Sequence, residues 1–330
     1  MEGAIPANKP ALWIAASRGE SEEVLRLLLL DADIEEKGGI DESTPLVQAA
    51  TEGHKKVALA LLEHGADVSA QNIYGDTALH EAVFHDSFTE VVSMLLQLGA
   101  VVSVQNNSGW TPLSLATGDG HQNVVGLLIQ HGALVSEEDK NGMTPLHHAA
   151  NSDRIRVVES LIEHGADVSV RDKQGKTPLW HAAGKRRKYP TRDMGMVQTL
   201  LDKGADINTR SFRSKDDVIY TPLMAAAYMG EPFLVQHLLK QGADVTPEDL
   251  ASVEARKRTF HGTHETKEDR KVASLLRTAL KKRRVLLHAA EETRRGKCMA
   301  FAMTQHERLG VGSLFSTLPP EIMQTVLFLV

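Results

Sequence analysis

At 330 residues, with 42% hydrophobic and 24% charged side chains, the chain has the composition of a soluble folded protein and not of a disordered one. Its net charge of −6 conceals a split: residues 1–180 hold 12 Lys/Arg against 26 Asp/Glu, a net of −14, while residues 181–330 hold 25 against 17, a net of +8. The acidic part argues against nucleic acid as a partner, the one cysteine excludes an intrachain disulfide, and no stretch reaches the roughly 18 apolar residues of a membrane span.

The opening, Met1 to Pro6, lacks the basic and apolar regions of a secretory signal. The expected residence is therefore cytoplasmic or nuclear, not secreted. Leu12-Trp13-Ile14-Ala15-Ala16 with Leu27-Leu28-Leu29 reads as a helix pair without a proline entry, an N-terminal capping half-repeat over 1–37. Then a triplet begins to recur: Thr44-Pro45-Leu46, Thr77-Ala78-Leu79, and Thr-Pro-Leu again from Thr111, Thr144, Thr177 and Thr221. The steps are 33, 34, 33, 33 and 44 residues. Gly65, Gly99, Gly132, Gly165, Gly204 and Gly242 keep pace with it. A fixed period of this size predicts stacked units, each burying its apolar face only against its neighbours.

Residues 139–170 serve as the model unit. Asp139-Lys140-Asn141-Gly142 is turn chemistry. Thr144 is placed as a helix N-cap and Pro145 at the first helical position, where its missing N–H costs nothing. Val157, Val158, Leu161 and Ile162 form a stripe of helical period, and Gly165 ends the second helix. Turn, helix, helix, turn is the predicted unit, repeated six times over 38–245.

Thr144-Pro145-Leu146-His147-His148-Ala149-Ala150 followed by Gly165-Ala166-Asp167-Val168 closely resembles the ankyrin repeat. The resemblance covers residues 11 to about 250. It implies an all-α-dominated solenoid of stacked helix pairs, with hairpin tips along one edge of a concave groove. It also implies a function: non-catalytic recognition of a protein partner, without a cofactor.

Departures from the pattern follow in chain order. The fifth repeat carries an insertion near 184–195 that includes Lys185-Arg186-Arg187-Lys188, and the hairpin before Thr221 is lengthened near 211–219. Insertions in a repeat array map to loops on one face. Residues 246–282 read as a degenerate capping repeat opened by Thr246-Pro247-Glu248-Asp249, a capping-box pattern. Residues 283–330 read as a helical tail. Leu318-Pro319-Pro320-Glu321-Ile322 with Leu327 resembles the opening of an F-box, which docks a Skp1-type adaptor of a cullin ubiquitin ligase. Only the first third of such a motif precedes Val330. Leu309-Gly310 with Leu318-Pro319 is similar to part of a SOCS box, but without its second Leu-Pro. The competing readings of this tail are an adaptor contact at Leu318, Pro319, Glu321, Ile322 and Leu327, and a helix covering an apolar end.

Catalytic and metal chemistry find no support in the spacing. His80 and His147 recur in one slot of the repeat, and His54 and His121 in another. His80 and His85 stand five apart, about 140° around a helix, and cannot share a metal. No glycine lies where a phosphate loop would need it before Lys176, Lys185 or Lys297. Cys298 has the surroundings of an inert thiol. The basic run Lys185–Lys188 reads as a solvated loop, a nuclear-import signal or a phosphate-contacting patch.

The residue before each Thr-Pro-Leu is expected at the base of a hairpin, facing the groove. That column reads Ser43, Asp76, Trp110, Met143, Lys176 and Tyr220. With Tyr74 on a neighbouring tip, Trp110 and Met143 are expected to form one exposed apolar patch, the partner-binding site. Trp180, in the slot that His80 and His147 occupy, is expected to pack instead.

Overall fold

The computed structural model describes residues 10–185, 194–212, 219–247, 249–251 and 267–285. It divides into two compact units, Met1–Asp244 and Val245–Val330.

Helix pairs build the first unit. The half-repeat gives α1 (Ala11–Arg18) and α2 (Ser21–Leu29), and the first full repeat gives α3 (Pro45–Thr51) and α4 (Lys55–Glu63). Next come α5 (Ala78–Ala82) with α6 (Thr89–Gln97), α7 (Pro112–Asp119) with α8 (Gln122–Gln130), and α9 (Pro145–Asn151) with α10 (Ile155–Glu163). The last two pairs are α11 (Pro178–Ala183) with α12 (Gly195–Asp202), and α13 (Pro222–Met229) with α14 (Pro232–Lys240). The step of 34 residues has a local cause. A short 3₁₀ turn at Asp86–Phe88 takes up the extra residue between α5 and α6.

In each full repeat the first helix starts on its threonine. The hydroxyls of Thr44, Thr111, Thr177 and Thr221 accept from the amide three residues on, at 3.2–3.3 Å. This satisfies one of the donors that a helix N-terminus leaves open. Behind the cap, Leu46, Leu79, Leu113, Leu146, Leu179 and Leu223 are fully buried, each stabilising by about 1.5–3 kcal/mol. The alanines three residues on from each leucine are buried too and let first helix stack on first helix, as α1, α3, α5, α7, α9, α11 and α13 do in order. On α10 Val157, Val158 and Leu161 are buried and Ile162 half-buried, as an amphipathic stripe requires. Gly165 then takes φ +89°, and the Ala166 amide closes the helix on the Leu161 carbonyl at 2.9 Å.

Hairpin tips are tied to one another by backbone bonds. Ile73 N–H donates to Asp41 O, Asn107 to Tyr74, and Lys173 to Asn141, each at 2.9 Å, with Lys140 to Ser108 at 3.4 Å. The lengthened hairpin before the sixth repeat contains a two-residue antiparallel ladder, Ser211–Phe212 against Ile219–Tyr220.

In the second unit Thr246 N–H donates to Asp249 Oδ2 at 2.6 Å and Asp249 N–H to Thr246 Oγ1 at 3.3 Å. That reciprocal pair is a capping box. Residues 267–285 are helical, and Arg283 reaches the Val245 carbonyl at 2.6 Å. The rest of the tail, with the F-box-like residues Leu318, Pro319, Glu321, Ile322 and Leu327, lies outside the described residues.

Candidate functional site

The residues of the expected recognition column differ in depth. Tyr74 stands 55% exposed on the second tip, beside Ile73 at 45%. Trp110 and Met143 are half-buried, which corrects the expectation of a freely exposed patch. The reason is the next repeat: the Trp110 ring packs on the His148 imidazole, 4.6 Å between centroids. Ser43 is buried altogether, because Trp13 of the half-repeat reaches over and donates its indole N–H to Ser43 Oγ at 3.0 Å. Lys176 lies half-buried, with Nζ 4.0 Å from the Trp180 ring centroid. Of Tyr220 only the backbone, paired with Ser211, is described.

Buried histidines hold this column in place. His80 Nδ1 accepts from the Thr77 amide at 3.2 Å, so Nε2 carries the proton and donates to the Trp110 carbonyl at 3.1 Å. His147 repeats the arrangement with the Thr144 amide and the Lys176 carbonyl. Burial pushes both imidazoles down, His147 to about 4 with His181 adding repulsion. Both are neutral hydrogen-bond bridges between repeats near neutral pH. Trp180 replaces them in the fifth repeat, half-buried, with an indole N–H that makes no hydrogen bond.

A second column went unread in the sequence. It is the residue after the histidine slot: Gln48, Glu81, Leu115, His148, His181 and Ala225. The signal was available, since these positions vary while the residue after each is always alanine. Glu81 accepts from Asn72 at 3.2 Å, and burial together with Asp76 raises its carboxyl to about 7. His148 Nε2 lies 3.2 Å from Asp139 Oδ2, without the alignment of a hydrogen bond, and burial lowers its pKa. His181 bonds Asp172 at 2.9 Å. Burial works to raise Asp172, but His181 and the Lys176 and Gln174 amides outweigh it and hold the carboxyl low. Beside this column a hollow of about 590 Å³ is bounded by Glu81, Phe84, His85, Asp119 and Arg154, among others.

Of the basic run, Lys185 is half-buried and pairs with Asp153 at 3.1 Å, while Arg186, Arg187 and Lys188 lie outside the described residues. Among the described residues no group of three His, Cys, Asp or Glu could hold a metal ion, and no helix is long and apolar enough to cross a membrane.

Comparison with known proteins agrees with this geometry. A zebrafish (Danio rerio) protein, "Ankyrin repeat and SOCS box protein 11", is 41% identical over 75 residues, which is 23% of this chain and 25% of that relative. The crystal structure of the human ASB11 ankyrin repeat domain matches with a TM-score of 0.60 at 26% identity, covering 71% of this chain and 99% of that one. The family profile for ankyrin repeats (three copies) matches residues 12–106, 86–172, 139–211 and 169–249. With the profile spanning most of its length and the helix pairs stacked as described, the chain belongs to the ankyrin repeat family.

Proposed function

We propose that this protein recognises a protein partner, without catalysis, through the groove and hairpin tips of its repeats. The observation that carries this reading is the run of large apolar side chains left accessible there. Ile73 and Tyr74 stand exposed on the second tip, and the tip ladder joins Tyr74 to the third repeat, where Trp110 is half-buried. Serine and aspartate occupy equivalent positions in other repeats, so the fold itself does not require aromatic residues there. Exposed aromatics ringed by polar tips are what an interface hot spot uses. The test is affinity purification from the native cell with the full chain and with Tyr74→Ala. A partner captured by the first and lost by the second supports the reading. A partner retained unchanged by the Tyr74→Ala chain removes the stripe as the site.

A second reading is favoured by the name of the zebrafish relative, which couples ankyrin repeats to a SOCS box. In it the same groove selects the substrate of a cullin-type ubiquitin ligase, and Leu318, Pro319, Glu321, Ile322 and Leu327 engage the adaptor. Burying a few such side chains at about 1.5–3 kcal/mol each is enough for a specific contact. Full-length chain should then co-purify with a Skp1-type or an elongin-type adaptor, and a chain ending at Gly310 should lose that adaptor while keeping the groove partner. Capture of neither adaptor by the full chain sinks this reading and leaves the first intact.

A further inference from the structure

The groove is ordered by charge. Over the first two repeats its floor and rim present exposed Glu52 and half-buried Asp41, Asp76 and Glu81; Asp76 accepts from Asn106 at 2.8 Å and Glu81 from Asn72 at 3.2 Å. Of the cations close to that end, Lys37 donates to the Gln71 carbonyl at 3.1 Å and Lys55 pairs with Glu90 at 2.9 Å. In the middle the lining turns apolar, with Ile73 and Tyr74 exposed on the tip and Trp110 and Met143 half-buried below. Over the fourth and fifth repeats the tips and column carry Lys140, Lys173, whose Nζ donates to the Lys140 carbonyl at 2.8 Å, and Lys176 beside the Trp180 ring, while His181 lies in the floor. Three acids of that end are bonded within the fold. Asp139 accepts from the Asn141 and Met143 amides, Asp172 from those of Gln174 and Lys176, and Asp153 pairs with Lys185.

From this layout we infer that the occupant of the groove is a single extended segment of a partner protein whose charges are arranged in blocks, basic over the first two repeats, apolar or aromatic at the centre, and acidic over the fourth and fifth. This rests on the proposed function above and names the chemistry of its partner. Length follows from geometry. Four repeat steps at roughly 8–10 Å each give roughly 32–40 Å, which an extended chain covers with about 10–12 residues at about 3.3 Å each. Complementary charge decides which segments bind and how fast, while the central apolar contact supplies most of the affinity. The raised carboxyl of Glu81 fits the same picture. Burial, and after it the charges of Asp76 and Asp41, disfavour its ionised form in the free protein, and a lysine or arginine of the partner would favour that form.

The test uses fluorescence anisotropy of the full chain with three labelled peptides of about 12 residues. One carries a Lys/Arg run, a Leu-Trp centre and a Glu run. The second has the same composition with the charges interleaved, and the third has Ala in place of Leu-Trp. The block peptide should bind at least about tenfold tighter than the interleaved one, and rising salt should erase the difference. Glu52→Lys and Lys173→Glu, both at exposed positions, should each weaken the block peptide. Each should regain affinity for a peptide with the facing charge reversed, which also shows that the variant is folded. Equal binding of block and interleaved peptides overturns the inference. If both are then weakened alike by Tyr74→Ala, the groove reading stands and only the charge order falls. Failure of every peptide to bind overturns the inference as well, since the groove would then take a folded surface and not a segment.

Discussion

The indole of Trp110 lies on the imidazole of His148, 4.6 Å between centroids and tilted by 51°, while the Trp110 carbonyl accepts from His80 at 3.1 Å. One residue of the third repeat is thus held by side chains of the second and the fourth. It follows that Trp110→Ala removes an aromatic contact as well as any partner contact. Thermal unfolding should show a loss of about 1–3 kcal/mol. Tyr74→Ala, at a 55% exposed tip, should stay within about 0.5 kcal/mol of the parent. A Trp110→Ala chain as stable as the parent would mean that the ring pairing contributes nothing.

Glu81 makes an opposite prediction about pH. Its folded carboxyl sits at about 7, above the ordinary value of 4.5, so the folded protein keeps a proton that the unfolded chain gives up. That contribution to stability is complete below about pH 4.5 and is lost as pH rises through 7. Glu81→Gln keeps the hydrogen bond to Asn72 and discards the charge. At pH 8 the variant should be more stable than the parent by roughly 1 kcal/mol, allowing for solvent screening of a partly exposed group. The gain should vanish by pH 5. His147 acts in the other sense, since its folded pKa of about 4 lies below the ordinary 6.5. The parent therefore loses stability as pH falls from about 6.5 toward 4. Subtracting the two melting curves isolates Glu81, and a difference independent of pH would refute the assignment.

Repeat register was legible in the sequence because it rests on backbone chemistry. A threonine cap, a proline that costs no hydrogen bond and a glycine at positive φ are requirements of local geometry, and they recur wherever that geometry does. The extra residue before Thr111 was visible as a step of 34, and its placement in the Asp86–Phe88 turn is a detail of packing. Depth within the groove was not legible in the same way. Ser43 and Trp110 share one column, yet the serine is buried under Trp13 and the tryptophan is half-buried against His148. What covers a position is set by the size of a side chain on the adjacent repeat, and a column read down the sequence omits that neighbour. The charge order escaped notice for a related reason. It runs from Glu81 to His181, which stand 100 residues apart.

A break in a third column gives a stability prediction. Asp33, Asp67, Asp167 and Asp206 each accept from the amide two residues on, at 2.8–3.0 Å. Val101 and Leu134 stand at the matching positions of two adjacent repeats, 59% and 57% exposed, and offer no acceptor. Val101→Asp and Leu134→Asp should each restore that turn bond and add about 0.5–1 kcal/mol, seen as a rise of about 1–3 °C in calorimetry. A fall in Tm for both would show that these apolar side chains stabilise the fold where they stand.

The last prediction separates two glycines that share a conformation. Gly109 at a hairpin tip has φ +80° and Gly99 at a helix end has φ +95°, so alanine pays for the left-handed backbone at both. Their surroundings differ. A Cβ on Gly109 would lie 2.7 Å from the Lys140 amide nitrogen of the next tip, whereas one on Gly99 meets nothing within 4 Å. The obstacle at Gly109 is backbone, and the clash falls on the bond from Lys140 N–H to Ser108 O that joins the third tip to the fourth. Relief requires the tips to part. Gly99→Ala should therefore cost about 1–2 kcal/mol, while Gly109→Ala should cost about 1–3 kcal/mol more. Hydrogen exchange supplies the local readout: the Lys140 amide should lose protection in Gly109→Ala and keep it in Gly99→Ala. Parting the tips would also shift Trp110, which follows Gly109 directly, so partner binding should fall in the first variant and hold in the second. Equal stability losses in the two would show that the ladder of tips carries no weight in the stack, and that the groove wall is set by the helices alone.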